Sequence, residues 1–556
     1  MSLATLLFLP ALKSQNLIMR KCFRFPSNSI SFLFLPTLKS QNLVKLLLIS
    51  QKANTSMFPS ITTHPPPPSA ADHHSNHHAD RKSKKFELKT TLRSVKSHIS
   101  AHHCVWLTGT VLLQLLIILS VSRAYIQLSL PTVHLRHLDS PSPSPLLPEE
   151  LGICKYGRIY VYDLPAMLNK DLIANCDKID PWSSRCNAVS NGGFGPPAAD
   201  LNGVVPKNLI PAWHWTDIYA AEVFYHARMM KYKCTTSNRN EATAFYIPFY
   251  AGLAVGKYLW FNHTSKDRDY HAVDMLNWIE KQDPFKNSNG SDHFIMLGRL
   301  TWDFRRLTDN DDEWGTKLIY MPSMKNVLRL GIERSQWDGL EISVPYPTPF
   351  HPRSESDIRQ WQDFIRSRKR ASLFTFVGST RKKIRNDFRG VLMGYCRNEP
   401  LSCRLVDCSV AQCYDGAPAI LEPFLDSDFC LQPKGDGYTR RSTFDCLLAG
   451  SIPVFFWRKS FEHQYEWHLP KEASIYSVFI DRRVVRNDTS IVKRVLEKYS
   501  REEVQKMRET IIDFLPRLLY SRSDMPLGSV DDAFDIAMEG VLKRFRHQKM
   551  GKLRLD

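Results

Sequence analysis

Residues 429–456, FCLQPKGDGYTRRSTFDCLLAGSIPVFF, combine glycines, paired arginines and an aspartate at a spacing suited to binding an anion. Their hydrophobic pattern predicts a buried strand, a polar loop, a helix and a second buried strand. A glycine-containing turn before a helix exposes backbone N–H groups, and the guanidinium groups of Arg440 and Arg441 match diphosphate oxygens. Asp445 lies one helical turn later, where a carboxylate can accept hydrogen bonds from ribose hydroxyls. The segment therefore predicts a nucleotide diphosphate site, although a strand–helix–strand unit with a solvated basic turn fits the same pattern.

Other residues are candidates for contact with the same ligand: Gly435, Tyr438 and Ser442. The tyrosine ring can stack or hydrogen-bond in a nucleotide pocket, and the serine hydroxyl can contact phosphate or cap the helix. A second loop contributes Gly378 and Arg381, after a strand predicted at residues 373–377. Gly378 allows a close backbone approach, and Arg381 adds a cation unless it is a solvated member of the run RKKIR.

Further segments follow the order of a known family: CNAVSNGGFGPP from Cys186, ATAFYIPFYAGL from Ala242, DHFIMLGRLTWDFRR from Asp292, VPYPTPFHP from Val344, FTFVGSTRK from Phe374 and QYEWHLPKEASIYSVFI from Gln464. With residues 429–456 they resemble the exostosin-like glycosyltransferases, family 47, and most closely the plant xyloglucan galactosyltransferase branch. The resemblance runs from about residue 154 to residue 546. It implies an α/β, GT-B-type fold of two Rossmann-like domains facing a cleft, with the donor bound mainly by the C-terminal domain and the acceptor by the N-terminal one.

The resemblance also implies a function. The expected reaction moves galactose from UDP-galactose onto xylosyl side chains of xyloglucan, with inversion, in the Golgi synthesis of cell-wall hemicellulose. The expected partners are the acceptor polysaccharide, the Golgi membrane and a homo- or hetero-complex with other cell-wall glycosyltransferases, but no nucleic acid. Two alternatives are a family 47 transferase with another UDP-sugar or cell-wall acceptor, and a non-catalytic Golgi partner subunit.

An inverting transferase needs a base that removes the proton of the attacking hydroxyl. Asp303, in the segment TWDFRR, is the first candidate because it follows a predicted strand on the acceptor side. A structural ion pair between Asp303 and Arg305 or Arg306 is the alternative. Three other residues stay open as the base: Asp217, Glu222 and His351. Flat faces for the acceptor glycan are expected from a minority of two aromatic pairs, Trp213/Trp215 and Phe249/Tyr250.

No catalytic metal and no cofactor other than the UDP-sugar co-substrate are expected. Metal-dependent transferases hold their ion with an Asp-x-Asp motif, and such triplets begin here at Asp267, Asp309 and Asp426. None follows a strand in a suitable context. Fixed guanidinium groups and backbone amides can stabilise a leaving diphosphate instead.

The net charge of +18 is concentrated before one apolar segment, residues 104–122, which carries no charged side chain. Residues 1–103 hold 14 Lys/Arg and three Asp/Glu. The segment approaches the length of about 20 residues that crosses a bilayer, and its basic flank predicts a cytosolic N-terminus. We therefore expect a single-pass type II anchor in the Golgi membrane with the catalytic part in the lumen. A cleaved signal peptide is the competing interpretation.

The chain is predicted to divide into six segments. Residues 1–103 form a largely disordered cytosolic tail, of which 1–56 are interpreted as an upstream extension of the gene model because LFLP-x-LKSQNL occurs twice. The anchor at 104–122 precedes a Pro/Ser-rich stem at 123–150. An acceptor-side domain at 151–350 and a nucleotide-sugar-binding domain at 351–546 follow, with a tail at 547–556.

Alternating strands and helices are predicted in both domains. The predicted strands cover residues 158–162, 243–248, 293–297, 317–321, 373–377, 404–407, 429–431, 452–456 and 474–480. A terminal amphipathic helix is predicted to start in a capping box of Ser529 and Asp532 and to bury Phe534 and Phe545. In GT-B folds such a helix crosses back onto the first half.

Luminal chemistry is consistent with ten cysteines after the apolar segment, which we expect to form disulfides whose pairing the sequence leaves open. Three Asn-x-Ser/Thr sequons are candidate glycosylation sites: Asn262, Asn289 and Asn487.

Overall fold

The computed structural model describes residues 154–551, apart from 199, 382–383, 386, 412, 414–417 and 523–526. The predicted tail, anchor and stem at 1–103, 104–122 and 123–150 lie outside the described residues, as does the end of the chain after residue 551. Within the part that the structure describes, no helix combines the length and the apolar character needed to cross a membrane. The described chain has an α/β fold with two parallel sheets.

The first sheet has six strands in the order β2-β1-β3-β4-β5-β6. They are β1 (Arg158–Val161), β2 (Thr235–Thr236), β3 (Ala242–Ile247), β4 (His293–Leu297), β5 (Leu328–Gly331) and β6 (Glu341–Ser343). Neighbouring strands are parallel throughout. All five residues of β4 are buried, which is typical of a parallel strand covered on both faces.

The strand predicted at residues 317–321 is wrong. The chain there forms a 3-10 turn, Leu318–Tyr320, in which Leu318 and Ile319 are buried and Tyr320 is exposed. Short apolar runs do not distinguish strands from turns by periodicity. The true strands of this region, β5 and β6, come later and include buried polar residues.

Six α-helices accompany the first sheet: α1 (Lys170–Ala174), α2 (Cys186–Val189), α3 (Ala221–Met229), α4 (Ala251–Gly256), α5 (Ser265–Ile279) and α6 (Asp283–Ser288). The longest, α5, begins in a reciprocal capping box between Thr264 and Asp267. Asp267, the first residue of one Asp-x-Asp triplet, is therefore part of a helix cap.

The second sheet has five parallel strands in the order β11-β10-β9-β7-β8. They are β7 (Ser372–Gly378), β8 (Cys403–Asp407), β9 (Ser427–Gln432), β10 (Ile452–Phe455) and β11 (Val478–Phe479). The strand order reverses between β7 and β9, the position at which doubly wound sheets bind ligands beyond the carboxyl ends of their strands. The last predicted strand is shorter than expected, because Ala473–Ile475 form a 3-10 turn.

The described residues of the second half form eight helices: α7 (Glu355–Ser367), α8 (Phe388–Asn398), α9 (Pro418–Leu425), α10 (Ser442–Leu448), α11 (Arg482–Asn487), α12 (Ile491–Leu496), α13 (Arg501–Phe514) and α14 (Ala533–Lys549). The strands of the two sheets lie on opposite sides of the predicted domain boundary at residues 350/351.

Helix α14 returns to the first half and packs against β3, as the family resemblance implies. Its cap differs from the prediction: Asp532 itself is the N-cap and accepts hydrogen bonds from the backbone N–H groups of Phe534 (2.9 Å) and Asp535 (3.0 Å). Ser529 plays no part in the cap. The guanidinium of Arg228 lies 2.6 Å from Asp532 and ties the start of α14 to α3.

The ten cysteines after residue 150 form five disulfides, as predicted: Cys154–Cys234, Cys176–Cys186, Cys396–Cys403, Cys408–Cys413 and Cys430–Cys446. The first of these joins residues 80 positions apart and ties the start of the described chain to the turn before β2.

Candidate functional site

Two loops meet at the point where the second sheet reverses its strand order. One is the polar loop, residues 433–441, which connects β9 to α10; the other follows Gly378, the last residue of β7. Strands β7 and β9 are direct neighbours in the sheet. At the base of the polar loop, the Ser442 hydroxyl donates to the Gln432 side-chain oxygen at 2.7 Å. The structure thus brings together the two segments that the sequence marked as donor-binding.

Two glycines of the polar loop are required by space. A Cβ atom on Gly435 would lie 1.9 Å from the Thr439 carbonyl oxygen, and one on Gly437 would lie 2.1 Å from a Glu333 carboxylate oxygen. Gly378 is less constrained, since its Cβ would meet the Phe376 ring at 3.1 Å. Glycine at position 435 is therefore required by the loop backbone, whereas a side chain at position 437 would displace the Glu333 carboxylate from the loop.

A cluster of cations lines this loop junction. The Arg381 guanidinium lies 2.7 Å from the exposed carboxylate of Asp436 and donates to the Gly435 carbonyl, while Arg389 is 3.7 Å from the same carboxylate. Burial and the neighbouring Arg381 lower the pKa of Arg389. Burial, Arg389 and Arg381 lower the pKa of Arg440 to about 9. Three guanidinium groups therefore lie close together at this loop junction.

Several of these donors have unused hydrogen-bonding capacity. Arg440 Nη2 donates to the Val377 carbonyl at 3.0 Å, but its Nη1 is buried and finds no acceptor among the described residues. Within that same part of the chain, Arg441 Nη2 is also buried without an acceptor. Buried polar groups in native structures are normally satisfied, and an unsatisfied one points to a missing ligand or water. The arrangement suits an anion with several oxygens.

Arg441 and Asp445 extend the site toward the first half. The Arg441 guanidinium donates to the Thr216 carbonyl at 2.6 Å, and its Nε lies 3.5 Å from Asp445 Oδ1. Asp445 is buried, which raises the pKa of its carboxyl, while Arg441 and Arg440 oppose that rise. Asp445 thus sits within α10 as predicted, with a carboxylate directed at cations and free to accept further hydrogen bonds.

Tyr438 and Ser442 have different surroundings. The Tyr438 ring stacks on Trp457 with centroids 5.8 Å apart and planes 12° from parallel, which offers an aromatic surface beside the loop. The suggestion that Ser442 caps α10 is wrong. The N-cap position is Arg441, and the Ser442 hydroxyl is used by Gln432.

Glu333 is absent from the predicted site residues, but its carboxylate accepts hydrogen bonds from the polar loop and so connects that loop to the first half. It follows β5 and its carboxylate accepts backbone N–H groups of Tyr438 (2.7 Å), Thr439 (3.2 Å) and Thr301 (3.3 Å). Burial raises its pKa to about 7. The run VLRLGI directly before Glu333 is the sequence signal for this strand, which the prediction of a strand at residues 317–321 misses.

Asp303, the first candidate base, lies in a 3-10 turn after β4 and is buried. One carboxylate oxygen accepts from Arg299 Nε and the other from the indole of Trp314, both at 2.7 Å. Its ion-pair partner is therefore Arg299, not Arg305 or Arg306 as the sequence suggested. Arg299 also lies over the Tyr219 ring, 4.3 Å from its centroid.

The other three candidate bases are also engaged. Glu222 accepts backbone N–H groups of Gly252 (2.7 Å), Gly298 (2.9 Å) and Leu253 (3.3 Å), and burial raises its pKa to about 7. Asp217 lies 2.6 Å from Arg185 and keeps 17% of its side chain exposed. His351 is fully buried between the Tyr520 carbonyl and the Thr216 hydroxyl, and burial lowers its pKa to about 3. Of the four, Asp217 keeps the most exposure, whereas Asp303, Glu222 and His351 are all buried.

Among the described residues, no group of three or more His, Cys, Asp or Glu side chains is arranged to hold a metal ion. The triplets at Asp309 and Asp426 are used in ion pairs, with Lys317 (2.6 Å) and Arg404 (3.1 Å) respectively.

Of the aromatic pairs expected to face a glycan, only Trp215 is not buried; Trp213, Phe249 and Tyr250 lie in the core. The asparagines of all three sequons, by contrast, are exposed.

Comparison with known proteins adds the family. Residues 153–495 match the Exostosin GT47 domain. The xyloglucan galactosyltransferase XLT2 of Arabidopsis thaliana is 48% identical over 495 residues, covering 84% of this chain and 94% of the relative. The Arabidopsis thaliana xyloglucan galactosyltransferase MUR3 is 39% identical over 387 residues, covering 69% of this chain and 62% of the relative. An Arabidopsis thaliana xyloglucan-specific galacturonosyltransferase is 36% identical, covering 71% of this chain and 58% of the relative.

Among solved structures, an α-glucosyltransferase in complex with UDP and a 13-mer DNA aligns with 60% of this chain and 96% of its own, at 11% identity and a TM-score of 0.30. A likeness this weak carries no argument about the chain. The family is shown by the domain match, which spans more than half of the sequence, and by the relative at 48% identity. The chain belongs to the exostosin glycosyltransferases of family GT47.

Proposed function

We propose that this protein transfers galactose from UDP-galactose to a xylosyl side chain of xyloglucan, with inversion at the anomeric carbon. The observation that carries the proposal is the pair of buried guanidinium donors, Arg440 Nη1 and Arg441 Nη2, without acceptors in the described chain. The 48% identical relative named as a xyloglucan galactosyltransferase supplies the substrate class. The two parallel sheets are consistent with a GT-B arrangement, in which the donor lies against the second half.

Different residues of the site act on the leaving diphosphate, the ribose and the uracil ring. The bond from the galactose anomeric carbon to the diphosphate oxygen breaks, and UDP leaves with the bonding electrons. Arg440, Arg381 and Arg389 stabilise the developing negative charge, since fixed cations need no reorganisation during the reaction. Asp445 accepts hydrogen bonds from the ribose, and the Tyr438–Trp457 pair offers a face for the uracil ring.

The acceptor hydroxyl forms the new bond from the opposite face of the sugar ring and gives its proton to a base on the first half. Asp303, Asp217, Glu222 and His351 stay open as the base. The variants Asp303→Asn, Asp217→Asn, Glu222→Gln and His351→Asn distinguish them, because the variant that lacks the true base loses kcat with little change in the KM for either substrate.

The test uses the full-length chain, purified in mild detergent after expression in a eukaryotic host. It is incubated with galactose-free xyloglucan oligosaccharides and single UDP-sugars, including UDP-galacturonic acid, with and without chelator, and products are weighed. We expect one hexose from UDP-galactose alone, resistant to chelator, removed by a β-galactosidase and absent with Arg441→Ala. Transfer of a different sugar, or none from a folded protein, would overturn the proposed reaction.

We also propose that the chain is a single-pass type II protein of the Golgi membrane with residues 151–546 in the lumen, where it assembles with other cell-wall glycosyltransferases. Five disulfides and three exposed sequons support an oxidising, glycosylating compartment. Intact microsomes should protect this part from added protease, and N-glycosidase should lower its mass. Digestion without detergent would reject the orientation, and migration as a monomer in native extracts would reject the complex.

A further inference from the structure

Five aromatic side chains form a surface feature of the first half that the proposed site does not use. We call it the aromatic ridge, and its members are Trp182, Trp260, Phe261, Trp302 and Trp314. Four of them are strongly exposed: Trp182 by 68%, Phe261 by 66%, Trp302 by 45% and Trp260 by 42%. Isolated exposed aromatics are normal, but a contiguous apolar patch marks an interaction site.

Ring contacts join the members into two linked groups. Trp314 stacks nearly parallel to Trp302, with centroids 5.7 Å apart and planes at 17°, and meets Trp260 edge-on at 5.0 Å. Phe261, the next residue after Trp260, lies 5.2 Å from Trp182. The indole of Trp314 is fixed by its hydrogen bond to Asp303. The ridge therefore presents oriented rings and not independent flexible side chains.

The ridge adjoins the donor loop through short contacts. Trp302 follows Thr301, whose backbone N–H donates to Glu333, and Glu333 in turn holds the backbone of Tyr438 and Thr439. On another route, Asp303 binds Arg299, and Arg299 covers the Tyr219 ring. One end of the ridge is thus close to the place where sugar would be transferred.

The backbone at Phe261 is a second, independent sign of a built surface. Its φ angle is +66°, in the left-handed region that non-glycine residues rarely occupy. Such backbone strain is concentrated at binding sites. Here it accompanies an aromatic ring held out in solvent.

We propose that the aromatic ridge binds the glucan main chain of a polysaccharide acceptor, on either side of the side chain that receives the sugar. This inference rests on the proposed function. A β-linked glucan is a flat ribbon whose ring faces carry C–H bonds and whose edges carry hydroxyls, so its faces pack on indole and phenyl rings. Neutral aromatic rings suit this uncharged polymer.

The kinetic test compares galactose-free xyloglucan polymer with a single-repeat oligosaccharide, using the full-length chain. Trp302→Ala and Trp260→Ala should each lower the ratio of kcat/KM for polymer to that for oligosaccharide by about tenfold, the size of one aromatic anchor. Tyr270→Ala is the matched control, because Tyr270 is 50% exposed on α5 and outside the ridge. Equal ratios in ridge variants and wild type would overturn the proposal.

A binding test separates the ridge from the transferase activity. Retardation of the protein in a native gel containing galactose-free xyloglucan needs no UDP-sugar. Retardation that the ridge variants lose would support the ridge even if wild type transferred no galactose, in which case only the proposed function fails. Transfer by wild type with unchanged retardation in both ridge variants would reject the ridge alone.

The rival occupant is a glycan on Asn262, which directly follows Phe261. If that glycan covers the ridge, Asn262→Gln should strengthen retardation by the polymer, while Trp260→Ala and Trp302→Ala should leave it unchanged in the glycosylated protein. That pattern would overturn the proposal. Loss of retardation in the tryptophan variants, with Asn262→Gln equal to wild type, supports it.

Discussion

Arg440 and Arg441 are adjacent in sequence but serve different surfaces. Arg441 reaches the Thr216 carbonyl of the first half, whereas Arg440 stays in the second half against Val377 and two other arginines. Charge repulsion from Arg389 and Arg381 means that Arg440 adds little to stability. Arg440→Ala should therefore lower kcat for galactose transfer about a hundredfold without lowering the melting temperature.

The matched control for that variant is Arg483→Ala. Arg483 is exposed on α11 and pairs with Asp481 at 2.7 Å, so its removal should leave kcat unchanged. An Arg440→Ala protein that binds UDP as tightly as wild type in calorimetry would contradict the role assigned to this guanidinium.

Gly437 gives a second residue-scale prediction. Its Cβ would enter the Glu333 carboxylate, so Gly437→Ala should displace the polar loop and abolish donor binding while the protein stays folded. Gly394→Ala is the control, since Gly394 lies within α8 and a Cβ there would meet no atom within 4 Å. That control should raise the melting temperature, because alanine favours a helix by about 1 kcal/mol. Wild-type UDP affinity in Gly437→Ala would show that the Glu333 contact does not shape the site.

At the residue scale, sequence patterns predict the site residues that lie close to one another along the chain. Arg440, Arg441 and Asp445 lie in one short segment, and this combination of residue types predicts an anion site. Glu333 and Arg389 come from other parts of the chain and join the site only through folding. A long-range contact such as Glu333 to Tyr438 leaves no signature in a single sequence.

At the scale of elements, eight of the nine predicted strands overlap strands of the structure, because parallel strands buried on both faces read as apolar runs. The strand wrongly predicted at residues 317–321 takes the place of β5, so neither β5 nor Glu333, which follows it, is identified from the sequence. Polar residues inside β5 and β6, Arg329 and Glu341 among them, interrupt the apolar pattern. They are satisfied by ion pairs such as Arg329 to Asp338, 2.8 Å, which only the folded chain reveals.

The cap of α14 carries an element-scale prediction. Asp532 is buried, binds Arg228 at 2.6 Å and accepts the first backbone N–H groups of the helix. Asp532→Ala should lower the free energy of unfolding by about 2–4 kcal/mol, because it removes the cap and the shorter carboxylate contact of Arg228, which keeps only Asp535 at 3.7 Å as a carboxylate partner among the described residues. Thermal melting measures this, with the exposed neighbour Asp531→Ala as control. Equal melting of the two variants would show that α14 is not anchored through its N-terminus.

At the scale of the whole molecule, Glu333 couples the two halves: it follows a strand of the first sheet and holds the loop of the second. Its burial raises its pKa to about 7 from an ordinary value near 4.5. A carboxyl whose folded pKa is raised stabilises the fold most below its unfolded pKa. That contribution is lost as pH rises from about 4.5 through about 7.

Glutamine mimics the protonated carboxyl, so Glu333→Gln removes this dependence on pH. As pH rises from about 4.5 to about 7, the free energy of unfolding of wild type should fall relative to that of Glu333→Gln. Urea unfolding at several pH values measures the difference, and Glu355→Gln, at the half-exposed start of α7, serves as control. Transfer should respond in the opposite direction, because the ionised carboxylate is the better acceptor for the backbone N–H groups of Tyr438 and Thr439. If the free energies of unfolding of wild type and Glu333→Gln changed with pH in parallel, and Glu333→Gln kept the wild-type kcat, the two halves would be held together without this carboxylate.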